Sequence, residues 1–175
     1  HESLSLAECR EKLALGMKIQ LRQGSSARNL DDLHPLISSH PGQCMLCTDD
    51  LKPADLAQGH INLRVRQALA LGHDLFDVLQ CATVNAVHHY GLTVGLLQKG
   101  DPADFIIVDD LAEMKVGATW IGGELVAEDQ QALFIGGQAA ALNHFQAAAV
   151  SAAELVVRVR GRELKVIEVT DGQIV

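Results

Sequence analysis

The sequence is poor in cysteine and contains no long apolar run. Its few cysteines are too irregularly spaced for the disulfide framework of a secreted protein, so we expect a reducing, cytoplasmic setting. They are Cys9, Cys44, Cys47 and Cys81. The richest apolar stretch, residues 138–150, is interrupted by Asn143, His144 and Gln146, whereas a bilayer-spanning helix needs about 20 apolar residues. The pattern therefore predicts no membrane span, and the first residues have neither the basic region nor the apolar core of a signal peptide.

Basic residues are also scarce. The chain has 14 lysines and arginines against 22 aspartates and glutamates, and its formal net charge is −8. The acidic residues are spread along the chain, which argues against a nucleic-acid surface because phosphate contacts need clustered positive charge. A small polar substrate or a protein partner fits this balance better. With 175 residues, 48% of them hydrophobic, the chain can bury one core, or one core with a small satellite.

Helix and strand patterns alternate in the first part of the chain. Ser5 and Glu8 form a capping box that predicts the start of a helix, and Gly16 suits its end. Alternation over residues 18–22 predicts a short strand, after which residues 24–26 turn the chain into a second helix. That helix has apolar residues at helical spacing: Ala27, Leu30, Leu33 and Ile37.

The next segment continues the same order. The continuous apolar run of residues 44–47 predicts a parallel strand covered on both faces. Apolar spacing over residues 61–69 predicts a helix closed by Gly72, and Asp74 is expected to cap one long helix that ends near Gly91. Strands and helices joined by short connections favour parallel α/β units over a helix bundle.

Beyond Gly91 the pattern changes to β structure. Residues 104–108 read as a strand, and Gly122-Gly123 predicts a hairpin that joins residues 116–121 to residues 124–127. Two further β runs are expected at residues 155–159 and 164–169, with a turn at Asp171-Gly172 leading into another strand. The Ala-, Gly- and Gln-rich segment between them, residues 130–149, is expected to be a linker around a short helix.

Asp49 is the first candidate for chemistry, because it follows the predicted strand at 44–47. Functional groups in parallel α/β arrays gather at the carboxyl ends of strands. An equally good local interpretation is a turn or cap aspartate, since acidic residues often close strands. Asp50 shares this ambiguity, and of the two it is the better candidate to cap the segment after the strand.

Other candidates are weaker by local pattern alone. The amides of residues 24–26 lie between a strand and a helix, where they can hold an anion or a purine edge, or form a plain turn. Arg22 is either a site residue or an exposed strand residue, and His60 is either a site residue or solvent-facing. His1 has no local support as a metal ligand. The adjacent pair His88-His89 is expected to be structural, because neighbouring residues on a helix point about 100° apart.

Cys44 and Cys47 have the C-x-x-C spacing. This spacing occurs in redox centres and in zinc knuckles, but no second pair of cysteines or histidines lies nearby to complete a tetrahedral site. We therefore interpret both as ordinary buried thiols in a strand.

Taken together, a series of motifs resembles the second half of the adenine deaminases of the amidohydrolase superfamily in order and spacing. The motifs are His1-Glu2, Gly16-Met17, Arg22-Gln23-Gly24-Ser25, Cys47-Thr48-Asp49-Asp50, Gly59-His60-Ile61, Ala82-Thr83-Val84-Asn85-Ala86 and Gly100-Asp101-Pro102-Ala103-Asp104, followed by Leu142-Asn143 and Lys165-Val166-Ile167. The resemblance implies an α/β fold comprising a partial (β/α)8 amidohydrolase barrel, its last strands and helices, plus part of a small β domain. Residues 1–92 are then the C-terminal part of the barrel, residues 93–129 a β-domain segment, and residues 130–175 the start of the C-terminal domain.

The same resemblance implies an activity and a site. The family removes the exocyclic amine of adenine hydrolytically, giving hypoxanthine and ammonia. His1 and Asp49 correspond to ligands of a divalent metal, a binuclear iron or manganese site in similar enzymes, and Asp49 also to the catalytic acid/base. Substrate contacts are expected from Glu2, Arg22, Ser25, Ser26, Asp50 and His60. Gln23 departs from the Arg-Glu-Gly-Ser form of the motif, so a charge role at that position is in doubt.

Two alternatives remain open. A sibling amidohydrolase that acts on another cyclic amidine or amide shares Asp49 and the barrel but differs in its loop contacts. Alternatively, the chain is a catalytically dead module that associates with itself, because a partial barrel exposes strand edges. The remaining metal ligands of the family have no counterpart in this sequence, so we expect the chain alone to be inactive and the protein to be a homo-oligomer without nucleic-acid or membrane partners.

Overall fold

A computed structural model describes residues 3–137, 142–158 and 161–172. The helices are α1 (Leu6–Ala14), α2 (Leu30–Leu33), α3 (Pro35–Ser39), α4 (Pro53–Leu56), α5 (Ile61–Ala70), α6 (Leu75–Ala82) and α7 (Val84–Tyr90), with 3-10 turns at Pro41–Gln43 and Ala152–Leu155. The strands are β1 (Ile19–Arg22), β2 (Cys44–Cys47), β3 (Phe105–Val108), β4 (Val116–Ile121), β5 (Glu124–Glu128) and β6 (Gln131–Ala132). The mixed α/β class predicted from the sequence is confirmed.

The strands form two sheets of opposite kind. β1 and β2 pair in parallel, from Ile19 opposite Cys44 to Arg22 opposite Cys47. β3, β4, β5 and β6 form an antiparallel sheet in sequence order. The predicted hairpin at Gly122-Gly123 is confirmed, since these two residues have φ values of 59° and 85° between β4 and β5. The parallel sheet is therefore the part of the fold that aligns two strand ends side by side.

The hydrophobic core lies on one face of the parallel sheet. Ile19 and Leu21 of β1 and Cys44 and Leu46 of β2 alternate along their strands and belong to one buried cluster. The helices contribute the other main members of that cluster: Cys9, Leu13, Leu30, Leu33, Leu36, Ile37, Val65, Ala68, Val78 and Cys81. Alternation directs the other β1 and β2 side chains, Arg22 among them, to the opposite face.

Local capping signals predicted the starts of α1 and α6 correctly. The Ser5 side chain accepts a hydrogen bond from the amide of Glu8, and Asp74 accepts from the amides of Phe76 and Asp77. The capping box at Ser5 differs in one bond, because the Glu8 carboxylate accepts from the amide of Leu4 rather than from that of Ser5. In the described part of the chain, no helix has the length and apolar character needed to cross a membrane.

Two predicted helices are each split in two. The helix expected to carry Ala27 to Ile37 begins only at Leu30 and is divided into α2 and α3 before Pro35, which has no amide proton to donate. The single helix expected from Asp74 to Gly91 is divided at Thr83, whose φ and ψ are −131° and −77°. Asn85 therefore lies on the short helix α7, where its side-chain amide donates to the carbonyls of Pro41 and Cys44.

The β prediction for the last part of the chain is wrong for the residues that can be described. Ala152–Leu155 forms a 3-10 turn, and residues 156–158 and 161–172 contain no strand. No helix forms in residues 130–137 or 142–149 either. The turn at Asp171-Gly172 is confirmed, while the strand expected after it falls at residues 173–175, outside the described residues. Alternating apolar residues favour a strand, but a short strand is stable only when it pairs with another. Among the described residues, these runs have no strand to pair with.

Candidate site at the carboxyl ends of the parallel strands

β1 and β2 end side by side. Their last paired residues are Arg22 and Cys47, and the ladder continues for one bond as the amide of Gln23 donates to the carbonyl of Cys47 at 3.2 Å. The two loops after these strands, residues 23–27 and 48–52, therefore start from the same edge. Each contains several of the predicted site residues.

Arg22 and Asp49 form an ion pair at this edge. Nη1 of Arg22 lies 3.2 Å from Oδ2 of Asp49, and the two side chains are 5% and 31% exposed. The exposed interpretation of Arg22 is therefore wrong. Its backbone is fixed as well, because its amide donates to Oδ1 of Asn29 at 2.7 Å, and the Asn29 side chain donates to the carbonyl of Ser3. A buried guanidinium thus orients the carboxylate that the sequence singles out for chemistry.

Asp50 does not join this ion pair. Its side chain reaches the backbone amides of the first loop, residues 23–27. Its carboxylate accepts from the amides of Ser26 at 3.0 Å and Ala27 at 3.2 Å. These backbone hydrogen bonds, that of Ala27 foremost, lower the pKa of Asp50. The predicted cap for the segment after the strand is wrong, since α4 has no side-chain cap. Within residues 24–26, the amide of Ser26 is thus occupied by the Asp50 carboxylate and the amide of Gly24 donates to the carbonyl of Ala27, as in a turn.

Gly24 makes this close approach possible. A Cβ atom at residue 24 would lie 2.0 Å from Oδ1 of Asp50 and 2.8 Å from the carbonyl oxygen of Thr48. Only glycine lets the two loops come this near, which explains why this residue type stands between the strand and the turn.

Ser25 adds a second tie between the loops. Its hydroxyl donates to Asp55 and accepts from the amide of Lys52 at 2.9 Å. Asp55 lies on α4, an element that the sequence did not predict. Ser25, Ser26 and Asp50 therefore hold the two loops as one unit beside the Arg22–Asp49 pair.

His60 lies at the outer side of the same edge. Its ring Nε2 is 3.1 Å from the hydroxyl of Thr48, and the residue is exposed. It directly precedes α5 and its amide donates to the Asn62 side chain. The structure therefore brings His60 close to the loop that carries Asp49 without pairing it with that carboxylate.

The two cysteines of the C-x-x-C spacing cannot act together. Residues three apart on a strand face opposite sides, so Cys44 and Cys47 of β2 point away from each other. Burial raises the pKa of Cys44 to about 12 and also raises that of Cys47. Both thiols are therefore protonated at neutral pH, and the interpretation as ordinary strand thiols is the one that fits.

The side chains around Asp49 offer few donors for a metal ion. The described ranges contain no group of three or more His, Cys, Asp or Glu side chains arranged to hold an ion. Asp49 offers a hard carboxylate oxygen of the kind that iron and manganese accept, but Arg22 already contacts it. The described residues around Asp49 thus do not complete a metal site by themselves. His1 and Glu2 lie outside the described residues, so their assigned roles stay predictions.

Sequence reasoning missed three residues of this cluster. Asn29, Thr48 and Asp55 each bond to a predicted site residue through a side chain. Thr48 stands next to Asp49 and was within the quoted motif, so its position was visible. Asn29 and Asp55 carry no local pattern that distinguishes them from ordinary helix-start residues.

Comparison with protein-family models gives one match, to the amidohydrolase family over residues 5–126. This chain belongs to the amidohydrolase family. The matched segment contains both strands of the parallel sheet and every described candidate site residue. Its solved neighbours include two structures of the beta-aspartyl dipeptidase of Fervidobacterium islandicum AW-1, with TM-scores of 0.59 and 0.61 at 20% and 21% identity. Each match covers 79% of this chain, and it covers 41% and 39% of the two dipeptidase chains. Together with the TM-scores, this coverage establishes a shared fold.

Curated relatives confirm the resemblance to adenine deaminases. The adenine deaminase of Salinibacter ruber is 48% identical over 174 residues, which is 99% of this chain and 32% of the relative. That of Sulfurovum sp. is 52% identical over 145 residues, 83% of this chain and 27% of the relative. That of Methanosarcina acetivorans is 45% identical over 186 residues, the whole of this chain and 34% of the relative. The chain therefore spans about a third of the length of the relatives it matches.

Proposed function

We propose that this chain is the downstream part of an enzyme that hydrolyses adenine to hypoxanthine and ammonia. The observation that carries the proposal is the ion pair of the buried Arg22 with Asp49 at the carboxyl ends of two parallel strands. It stands within a sequence that is 48% identical to an adenine deaminase over 99% of its length. Carboxyl strand ends are where barrel enzymes keep their catalytic groups.

We assign the chain to three segments of that enzyme. Residues 1–92 are the C-terminal part of a (β/α)8 barrel, and the parallel pairing of β1 with β2 supports this assignment. Residues 93–129 belong to a small β domain, in keeping with the antiparallel order of β3 to β5. Residues 130–175 begin the C-terminal domain.

Asp49 is the general acid/base in this proposal. Hydrolysis adds water to the purine carbon that bears the amine, and a base must take one proton from that water. Asp49 accepts this proton and delivers it to the ring or to the leaving amine, so that ammonia departs. Arg22 keeps the carboxylate turned toward the mouth while this happens, because its own guanidinium is buried and its backbone is held by Asn29.

A divalent metal pair, iron or manganese, completes the proposal. When bound, such a centre lowers the pKa of a water molecule and makes hydroxide available at neutral pH. Asp49 is the candidate ligand among the described residues, and His1 is the second one proposed. The described residues do not complete the centre, so its other ligands must come from elsewhere in the longer protein.

Six residues are proposed to surround the substrate: Glu2, Arg22, Ser25, Ser26, Asp50 and His60. The contacts of Ser25 and Asp50 suggest how two of them act. Their side chains are engaged with the neighbouring loop, Ser25 with Asp55 and Asp50 with two amides. We therefore assign them to shaping the rim, while Arg22 and His60 remain the candidates for direct contact.

A substrate comparison tests the activity and its sibling alternatives. The longer protein containing this chain is assayed for ammonia release from adenine and cytosine and guanine, and for hydrolysis of dihydroorotate. We expect turnover with adenine to exceed the others, because the motif spacing matches adenine deaminases throughout. Preferential turnover of any of the other three compounds contradicts the proposal and favours a sibling amidohydrolase.

Substitution of the acid/base tests the site. Asp49→Asn removes the proton acceptor but keeps the shape, and we expect kcat for adenine to fall by about 100-fold or more. Asp32→Asn is the matched control, because Asp32 is exposed on α2 and takes no part in the cluster. Equal activity of the Asp49→Asn enzyme and its parent would remove Asp49 from the mechanism.

Self-association is a second candidate, favoured by the geometry of the parallel sheet. Within the described residues, β1 and β2 pair only with each other, so each has an outer edge without a strand neighbour. Free strand edges are templates for pairing between chains. Sedimentation of the 175-residue chain tests this, since we expect an oligomer and a monomer argues against it.

A further inference from the structure

A second cluster of chemically capable side chains lies away from the Arg22–Asp49 site. Nδ1 of His34, between α2 and α3, is 2.9 Å from Nε2 of His73, in the turn after α5. Nδ1 of His73 is 2.7 Å from the hydroxyl of Ser38. His60, beside the candidate active site, precedes α5, and His73 follows it. The 10 residues of α5 separate the two places by about 15 Å.

We propose that His34 and His73 form a binding site for a divalent transition-metal ion, such as Ni²⁺ or Zn²⁺, that is separate from the active site. Imidazole nitrogen is a preferred ligand of these ions. Two nitrogens about 2.05 Å from one ion lie about 2.9 Å apart at a right angle and about 3.3 Å apart at the tetrahedral angle. The observed separation of 2.9 Å is therefore close to what a shared ion requires.

The ring arrangement is compatible with the same occupant. The two ring centroids are 5.1 Å apart, and the ring planes are inclined by 66°. For two rings on one ion, the centroids lie about 4.5 Å apart at a right angle and about 5.2 Å apart at the tetrahedral angle, given the same bond lengths. A small rotation of either ring, with little movement of its centre, directs Nδ1 of His34 and Nε2 of His73 toward one ion position instead of toward each other.

Ser38 supplies the partner that a ligating histidine needs. Without an ion, one of the two facing nitrogens carries the proton of their hydrogen bond. If His73 carries it, binding shifts that proton to Nδ1, where the Ser38 hydroxyl accepts it, since a hydroxyl both donates and accepts. A hydrogen bond at the outer nitrogen fixes the tautomer and orientation of metal-ligating histidines.

The surroundings of His73 favour its neutral, metal-binding form. Both histidines are half-buried. Burial, and then the charge of His34, lowers the pKa of His73, which outweighs the opposing effect of Asp77. A neutral ring at pH 7 has a free lone pair for an ion. Water molecules complete the coordination shell, because no third His, Cys, Asp or Glu joins the pair among the described residues.

Titration of the 175-residue chain with Ni²⁺ tests the proposal. We expect one equivalent to bind, and we expect His34→Gln and His73→Gln each to weaken binding by more than about tenfold. Ser38→Ala should weaken it less, because it removes only the orienting hydrogen bond. The control is the double variant His88→Gln/His89→Gln, which removes two exposed histidines on α7 and should bind like the parent. Unchanged affinity in the His34→Gln and His73→Gln chains overturns the proposal.

Footprinting of the unsubstituted chain gives a test that does not depend on the folding of any variant. Diethylpyrocarbonate modifies accessible neutral histidines, and mass spectrometry locates the modified residues. We expect Ni²⁺ to protect His34 and His73 while His88 and His89 stay reactive. Protection of other histidines in place of this pair, or of none, counts against the site.

Discussion

Two strands of the same sequence texture have opposite surroundings in this protein. β2 reads Cys-Met-Leu-Cys and β3 reads Phe-Ile-Ile-Val, both continuous apolar runs. Cys44, Met45 and Leu46 of β2 are buried, whereas Ile106 and Ile107 of β3 are 49% and 52% exposed. An apolar run thus predicts a strand, but its burial depends on what packs against the sheet.

The packing partners explain the difference. Helices α1, α2, α3, α5 and α6 contribute to the core cluster on one face of the parallel sheet, which excludes water from β1 and β2. The antiparallel sheet adds only Met114, from the loop before β4, and a partly buried Val108 to that cluster. Its own contacts are mainly cross-strand, such as the stacked rings of Phe105 and Trp120 with centroids 5.8 Å apart. Stability should therefore be concentrated in the first half of the chain.

Truncation of one side chain in each sheet tests this contrast most strongly. Leu21→Ala in β1 leaves a cavity in a fully buried cluster, and we expect the free energy of unfolding to fall by about 2–5 kcal/mol. Ile107→Ala in β3 removes a half-exposed side chain, and we expect less than about 1 kcal/mol. Urea unfolding of the 175-residue chain measures both. Similar losses for the two variants would show that the antiparallel sheet is packed as tightly as the parallel one.

Adding a methyl group tests the closeness of the loops at the strand ends. Gly24→Ala places Cβ against Asp50 and Thr48, so we expect a loss of about 1–3 kcal/mol in the free energy of unfolding. Gly136→Ala, in the second half, is the control, because a Cβ there meets nothing within 4 Å. Thermal unfolding compares the two. If Gly24→Ala is as stable as Gly136→Ala, the loops are not held together by Asp50.

Removal of a helix cap gives the smallest of these effects. Asp74→Ala deletes the acceptor for two amides of α6, whose Val78 and Cys81 are buried, and we expect a loss of about 1 kcal/mol. Ser151→Ala deletes a comparable cap on the 3-10 turn at Ala152–Leu155, which has no buried residue. We expect no measurable change in the unfolding midpoint for Ser151→Ala. A change equal to that of Asp74→Ala would mean that the turn is coupled to the core.

Local signals account for the features that were predicted well. The helix starts at Ser5 and Asp74, the helix ends at Gly16 and Gly72, and the hairpin at Gly122-Gly123 each depend on a few neighbouring residues. The strand at β2 also followed from its own apolar run, whereas its burial depends on the helices packed against it. The sequence pattern did not predict the splits before Pro35 and at Thr83. The helical spacing of apolar residues continues across both positions, but the helical backbone conformation is interrupted there.

The candidate site also has features that the sequence predicted and features that it did not. That Asp49 follows a strand was visible in the sequence, and the family resemblance singled it out. Its partner Arg22, 27 residues earlier, was not identified by any spacing rule, nor was the pairing of Asp50 with the amides of Ser26 and Ala27. The metal role of His1 lies beyond the described residues and stays a prediction.

The sequence by itself determined the helix starts at Ser5 and Asp74, the hairpin at Gly122-Gly123 and the family, because these depend on short-range patterns of side-chain volume, polarity and backbone freedom. Only the tertiary structure decided which loop amides Asp50 fills, that the Arg22 guanidinium is buried, and that His34 meets His73 across 39 residues. Contacts of this kind depend on how strands pair and helices pack, and the spacing of residues along the chain does not encode the distance between them in space.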